Sequence, residues 1–230
     1  MEILDGRAVR AVTFDAGDTL VHLWVPKPER FGHLCRLAGV NLPSPAAGRA
    51  AAQACELVWQ RRPDGKRDRQ WWTEHNIAGL RAAGVDGDIE VMADHIYEVM
   101  EGLPPTWALE EGTVDVLSQL HQQGYRLSVV SNWDGTLDSV LDSLGIRNRF
   151  AFIADSAVLG YRKPDPRLHH AACEALGVRP AECLHIGDSI NTDGRMVEAS
   201  GAGFVLYDPL QVFKTHSNRI SRLVDLLTLF

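Results

Sequence analysis

Three short segments of this sequence carry groups able to move a phosphoryl group: Phe14-Asp15-Ala16-Gly17-Asp18-Thr19, Val130-Ser131-Asn132, and Ile186-Gly187-Asp188-Ser189 with Asp193 shortly after. Lys163, just ahead of Pro164, adds a cation. Where such carboxylates meet, each raises its neighbours' pKa. A hard cation such as Mg²⁺, which prefers carboxylate, carbonyl and water oxygens, relieves that crowding. One carboxylate free to attack, a lysine to offset its charge and a hydroxyl to bind an oxyanion then make a site suited to phosphoryl transfer.

The elements that must position these groups can be read from the apolar pattern. Short apolar runs at Ala8–Phe14, Leu127–Val130, Ala151–Ala154, Cys183–Ile186 and Gly203–Tyr207 read as strands. Between them Leu137, Val140, Leu141 and Leu144 repeat at helical spacing and stop at Gly145. Leu168, Ala171, Ala172, Ala175 and Leu176 repeat it again, with Pro164 and Pro166 ahead and Gly177 behind. Ile220, Leu223, Val224 and Leu227 predict a final amphipathic helix. Such alternation gives an α/β fold, a Rossmann-like parallel sheet with crossover helices. Ligands of open parallel sheets bind outside the carboxyl ends of the strands, where Asp15, Ser131 and Asp188 stand.

From about Pro26 to Leu103 the texture changes to helix alone. Phe31, Leu34, Cys35 and Ala38 form one stripe; Ile89, Met92, Ala93, Ile96, Val99, Met100 and Leu103 form a longer one. This predicts an all-helical insertion at 23–104 in a core built from 1–22 and 105–230, with hinges near Leu20–Trp24 and Leu103–Thr106.

Composition sets the outer limits. Apolar residues at 45% and charged residues at 23% are globular values, and a net charge of −7 without basic clusters argues against nucleic-acid binding. No apolar run reaches a membrane span, and Met1–Gly6 lacks a signal peptide's basic start, so a soluble, cytoplasmic protein is expected. The cysteines Cys35, Cys55, Cys173 and Cys183 are scattered without a CxxC, so neither a zinc site nor a disulfide framework is suggested.

The motifs FDxxxT, S-N, K-P-D-P and G-D-S-x-x-x-D, in this order and at these elements, resemble the four motifs of the haloacid dehalogenase superfamily. The helical insertion sits where that family carries its helical cap domain. The chain is also similar to the subgroup of haloacid dehalogenase-like hydrolase domain-containing protein three, which has a similarly irregular first motif and shares Arg69-Gln70-Trp71-Trp72. The resemblance implies a hydrolase, a phosphatase with Mg²⁺ as cofactor, acting on a small phosphorylated metabolite. By it, Asp15 is the nucleophile that becomes an aspartyl-phosphate. Ser131 hydrogen-bonds a phosphoryl oxygen, with Asn132 beside it at the substrate, and Lys163 offsets the charge of nucleophile and substrate. Asp15, Asp188 and the Gly17 carbonyl ligate the metal, and Asp193 supports it.

One departure stands out. The family's phosphatases place an Asp two residues after the nucleophile as general acid and base; here that position is Gly17. Asp18 follows where the family has Gly, so either Asp18 substitutes or the acid is absent. Other readings stay beside this one. Asp15 could cap a turn, Asp18 could make a local Asx turn, Asp193 could be a helix N-cap, and Lys163 could be a solvated loop lysine. Trp24, Trp59, Trp71 and Trp72 read as the core of the insertion more than as a pocket, and Arg61-Arg62 with Lys66-Arg67 reads as an exposed turn. His169-His170 and Cys173 receive no role. The alternative functions are dehalogenation of a 2-halo acid, for which that branch has Tyr at the Gly17 position, and a degenerate member that binds a phosphorylated ligand without turnover.

Overall fold

The computed structural model describes residues 8–61 and 68–230. Met1–Gly6 and most of the basic turn at 61–67 therefore lie outside the described residues. The chain divides into two compact units, one made of 1–22, 107–208 and 213–230, the other of 23–106 and 209–212.

The first unit is built on a parallel sheet. Its strands are β1 (Ala11–Phe14), β4 (Arg126–Ser131), β5 (Phe152–Asp155), β6 (Cys183–Gly187), β7 (Gly203–Tyr207) and β8 (Arg219–Ile220), in the order β5-β4-β1-β6-β7-β8. Side chains of a strand alternate between faces, so each face builds its own core. Val12, Phe14, Leu127, Val129, Leu184 and Ile186 pack against Val116, Leu117 and Leu120 of α5 (Thr113–Gln122), with Leu137 and Leu141 of α6 (Leu137–Ser143). On the opposite face Val130 and Ala154 meet Leu168 and Ala172 of α8 (Pro166–Leu176), with Met196 and Val197 of α9 (Arg195–Ser200). Burial on both faces is why these strands read as continuous apolar runs.

Two local expectations are corrected. The first strand begins at Ala11 rather than Ala8. The final helix starts later and winds tighter than expected: Ile220 belongs to strand β8, paired with β7 through Leu206–Arg219 and Tyr207–Ile220, while Leu223, Val224 and Leu227 lie on a 3₁₀ helix at Leu223–Leu229. The pairing with β7 takes Ile220 out of the helical stripe, and the remaining apolar residues keep a helical spacing.

Beside the parallel sheet, β2 (Val21–Leu23) pairs with β3 (Trp107–Leu109), and α7 (Ser156–Leu159) follows β5. The second unit holds α1 (Lys27–Leu37), α2 (Pro45–Trp59), α3 (Arg69–Ala83) and α4 (Ile89–Gly102). Phe31, Leu34, Cys35, Ala51, Cys55, Leu80, Ala93, Ile96 and Met100 make its core. A Cβ on Gly79 would overlap the Phe31 ring and the Cys55 sulfur, so glycine there lets α3 approach its neighbours. The rings of Trp59, Trp71 and Trp72 contact one another, and Trp71 is buried. Among the described residues, no helix is long and apolar enough to cross a membrane.

Candidate active site

Asp15 is the first residue beyond β1. Its N–H still donates to the Ile186 carbonyl at 2.8 Å, which ties the nucleophile candidate to the end of β6. The chain then closes a tight loop: the Leu20 and Val21 N–H groups both donate to the Ala16 carbonyl, and the Asp18 N–H donates to the Val21 carbonyl at 2.7 Å. This closure puts Asp18 at φ 60°, the left-handed region that glycine enters freely and Asp tolerates better than most residues. Gly17 needs no such freedom. Its φ is not positive, and a Cβ there would touch the Trp133 ring at an ordinary 3.5 Å.

The end of β4 supplies Ser131, whose side chain acts to lower the Asp15 pKa. Asn132, expected at the substrate, has both ends of its amide engaged by Lys163. The Lys163 N–H donates to Asn132 Oδ1 at 2.7 Å, and Asn132 Nδ2 donates to the Lys163 carbonyl at 3.1 Å. This clamp aims the lysine. Lys163 Nζ lies 2.6 Å from Asp15 Oδ1 and 2.7 Å from Asp193 Oδ1.

β6 ends in Gly187-Asp188. A Cβ on Gly187 would overlap the Asp193 carboxyl group, so only glycine lets that side chain fold back against the strand. Ser189 caps the following π turn at Ile190–Gly194, its hydroxyl accepting from the Thr192 N–H at 3.2 Å. Asp193 lies inside that turn and is not its N-cap. Its Oδ1 accepts from Lys163 and from His185 Nε2 at 3.1 Å, and its Oδ2 accepts from the Ser189 N–H at 3.2 Å.

One carboxylate oxygen from each of Asp15, Asp188 and Asp193 lies within 4.8 Å of the other two. Asp15 is 7% exposed, Asp188 6%, Asp193 0% and Lys163 4%. In so dry a place, charge balance decides the protonation. Burial pushes the Asp15 carboxyl up and Asp193 adds to the rise, while Lys163 opposes it without cancelling it. For Asp193 burial also acts upward, but Lys163 and His185 win and hold it at about 2. Burial disfavours the Lys163 charge, yet Asp15 and Asp193 hold its pKa above the ordinary value. Lys163 alone therefore does not offset the cost of a charged Asp15.

The sequence reading missed the groups behind and beside these. The register pairs Thr13 with His185, so both face α8 next to each other. The His185 nitrogen facing the Asp193 carboxylate carries the proton, and burial lowers the ring's pKa, so His185 is neutral and its Nδ1 accepts from the Thr13 hydroxyl at 2.8 Å. The Thr13 oxygen then accepts from His169 Nε2 at 3.3 Å, and the Ser200 hydroxyl lies 3.1 Å from His169 Nδ1. A buried chain thus runs from Asp15 through its ion pair with Lys163, then by hydrogen bonds through Asp193, His185 and Thr13 to His169. Trp133, directly after the S-N motif, packs against Trp107 with ring centres 4.7 Å apart and planes tilted by 45°, and lies next to Gly17.

Residues 9–201 match the family of haloacid dehalogenase-like hydrolases. Haloacid dehalogenase-like hydrolase domain-containing protein 3 of Mus musculus is 34% identical, covering 84% of this chain and 79% of its own. Two solved structures are similar in fold. One is a magnesium-bound HAD-hydrolase from Bacillus subtilis, with TM-score 0.61, 21% identity and coverage of 97% of this chain and 99% of that one. The other is a predicted phosphoglycolate phosphatase from Haemophilus somnus, with TM-score 0.60, 20% identity and coverage of 96% and 98%. With its motifs gathered at one sheet edge and its family matched over most of its length, the chain belongs to the haloacid dehalogenase-like hydrolases.

Proposed function

We propose that this protein is a Mg²⁺-dependent phosphatase that hydrolyses a small phosphomonoester through an aspartyl-phosphate on Asp15. The observation that carries this reading is the buried lysine held between Asp15 and Asp193, with Asp188 alongside. Three carboxylates against one ammonium leave uncompensated negative charge in a nearly dry place, which suits a hard divalent cation. Asp15, Asp188 and the Gly17 carbonyl would hold it, backed by Asp193. When bound, Mg²⁺ would neutralise phosphoryl oxygens and favour the ionised form of Asp15.

In this reading an Asp15 oxygen attacks phosphorus, and the bond from phosphorus to the ester oxygen breaks. The leaving oxygen departs with the electron pair and takes a proton from Asp18, if that residue serves as the acid, or from solvent. Water then attacks the phosphorus of the acyl phosphate, which releases phosphate and restores the Asp15 carboxylate. Lys163 offsets charge on Asp15 and on the incoming phosphoryl group, and Asn132 fixes the lysine's backbone. The Ser131 hydroxyl, at the end of β4, donates to a phosphoryl oxygen. The helical insertion is the family's cap and selects the substrate.

The test is phosphate release from a panel of phosphorylated metabolites and an aryl phosphate, with Mg²⁺ and with chelator. Release that needs Mg²⁺ and disappears in Asp15→Asn supports the reading. Halide release from a 2-halo acid indifferent to chelator points to the dehalogenase branch, and binding without turnover points to a degenerate member.

A further inference from the structure

The amino-terminal half of β6 and the facing side of α8 bring together three soft or borderline metal donors that no motif joins. His169 and Cys173 are four residues apart, one helical turn, and so share a face of α8. Cys183 opens β6 and faces the same way as His185, two residues on. One donor atom from each of the three lies within 4.8 Å of the others, and Cys173 Sγ is 3.6 Å from His169 Nδ1. That spacing fits the edge of a tetrahedron whose metal–nitrogen and metal–sulfur bonds are about 2.0 and 2.3 Å. The residues are 0%, 2% and 1% exposed, with Ala11 and Leu176 packed into the same cluster.

The hydrogen-bond chain from Asp193 adds an independent feature. It makes His169 Nε2 the donor, to Thr13, and leaves the lone pair on Nδ1, the nitrogen nearer Cys173. A metal-binding histidine is normally held in this way, its other ring N–H donating to an oxygen. Charge fits as well, because two thiolates cancel a divalent ion, so a loaded site would be neutral inside an apolar cluster.

We propose that His169 Nδ1, Cys173 Sγ and Cys183 Sγ form a buried structural site for one Zn²⁺ ion, separate from the carboxylate site, with the Ser200 hydroxyl, 3.1 Å from His169 Nδ1, as the candidate fourth ligand. Loading it converts two thiols to thiolates and releases two protons to solvent, with no change of oxidation state.

The test uses the full chain produced in cobalt-supplemented medium, with Mg²⁺ present to occupy carboxylates. The expected result is one Co²⁺ per chain with thiolate-to-metal charge-transfer absorption and tetrahedral d–d bands. Zn²⁺ should displace that ion and abolish the bands. The bands should be lost in Cys173→Ala and kept in Asp188→Asn. Calorimetry of Zn²⁺ binding to metal-free protein in buffers of different ionisation enthalpy should give about two protons released per ion. A wild-type protein showing only weak octahedral bands that vanish in Asp188→Asn would overturn the proposal. Charge-transfer bands that survive Cys173→Ala would also overturn it. If Cys173→Ala fails to fold, the wild-type spectrum and proton count decide by themselves, and a count near zero rejects the site.

Discussion

Exchanging the two irregular residues, Gly17→Asp with Asp18→Gly, restores the family's first motif on a backbone already shaped for it. Gly17 has no positive φ, and its new Cβ would meet the Trp133 ring at 3.5 Å, an ordinary contact. Asp18 sits at φ 60°, where a non-glycine residue costs roughly 1–2 kcal/mol, less for Asp. Glycine relieves that strain, but its greater unfolded-state freedom returns about 0.4–1 kcal/mol, so stability should change by under about 1 kcal/mol. The kinetic effect is larger. A positioned acid contributes on the order of 10²–10⁴-fold, about 3–5 kcal/mol of barrier, and it matters most when the leaving group is a poor one. The double variant should therefore gain about 10²-fold or more in kcat/KM on an alkyl phosphate and little on an aryl phosphate. The parent's rate should fall steeply with leaving-group pKa, and the variant's slope should be shallow. A shallow slope in the parent, steepened by Asp18→Asn, would show that Asp18 already supplies the proton. A folded double variant no faster on alkyl phosphates, from a parent without leaving-group dependence, would refute the idea that proton donation is what the site lacks.

Other perturbations test the electrostatics. Asp188→Asn should weaken Mg²⁺ binding, measured by calorimetry, because it removes a negative ligand that a hard cation prefers. Lys163→Met should abolish turnover and destabilise the metal-free protein by about 3–5 kcal/mol in urea titration, since it strips the cation from two buried carboxylates. Asp193 is held at about 2 against an ordinary 3.8, so folding favours its charged form. Its contribution of about 2 kcal/mol is complete above pH 3.8 and is lost as pH falls toward 2, a window that Asp193→Asn should flatten in acid denaturation of metal-free protein.

Much of this was legible in the sequence because parallel strands buried on both faces leave apolar runs between glycines and prolines; the run Gly203–Tyr207 is strand β7 residue for residue. Asp15, Ser131 and Asp188 could be picked out because polar groups at the ends of such runs stand at the sheet's ligand-binding edge, and Lys163 as a cation on the loop ahead of α8. What could not be read depends on pairings distant in sequence. The short strands β2 and β3 support each other across the whole helical insertion. Thr13 and His185 look like polar fillers inside apolar runs until the register sets them side by side. Likewise nothing local reveals that Asn132 clamps the Lys163 backbone, or that His169 and Cys173 on one helix face Cys183 on a strand.

The proposed covalent role of Asp15 is tested most directly by acid-quenching the wild-type protein mixed with Mg²⁺ and an aryl phosphate and mapping any phosphorylated peptide by mass spectrometry. A phosphoryl group on the peptide carrying Asp15, absent with chelator and absent in Asp15→Asn, is the predicted result. Undiminished phosphate release by Asp15→Asn, or steady turnover with no acyl phosphate trapped on that peptide at any quench time, would contradict it.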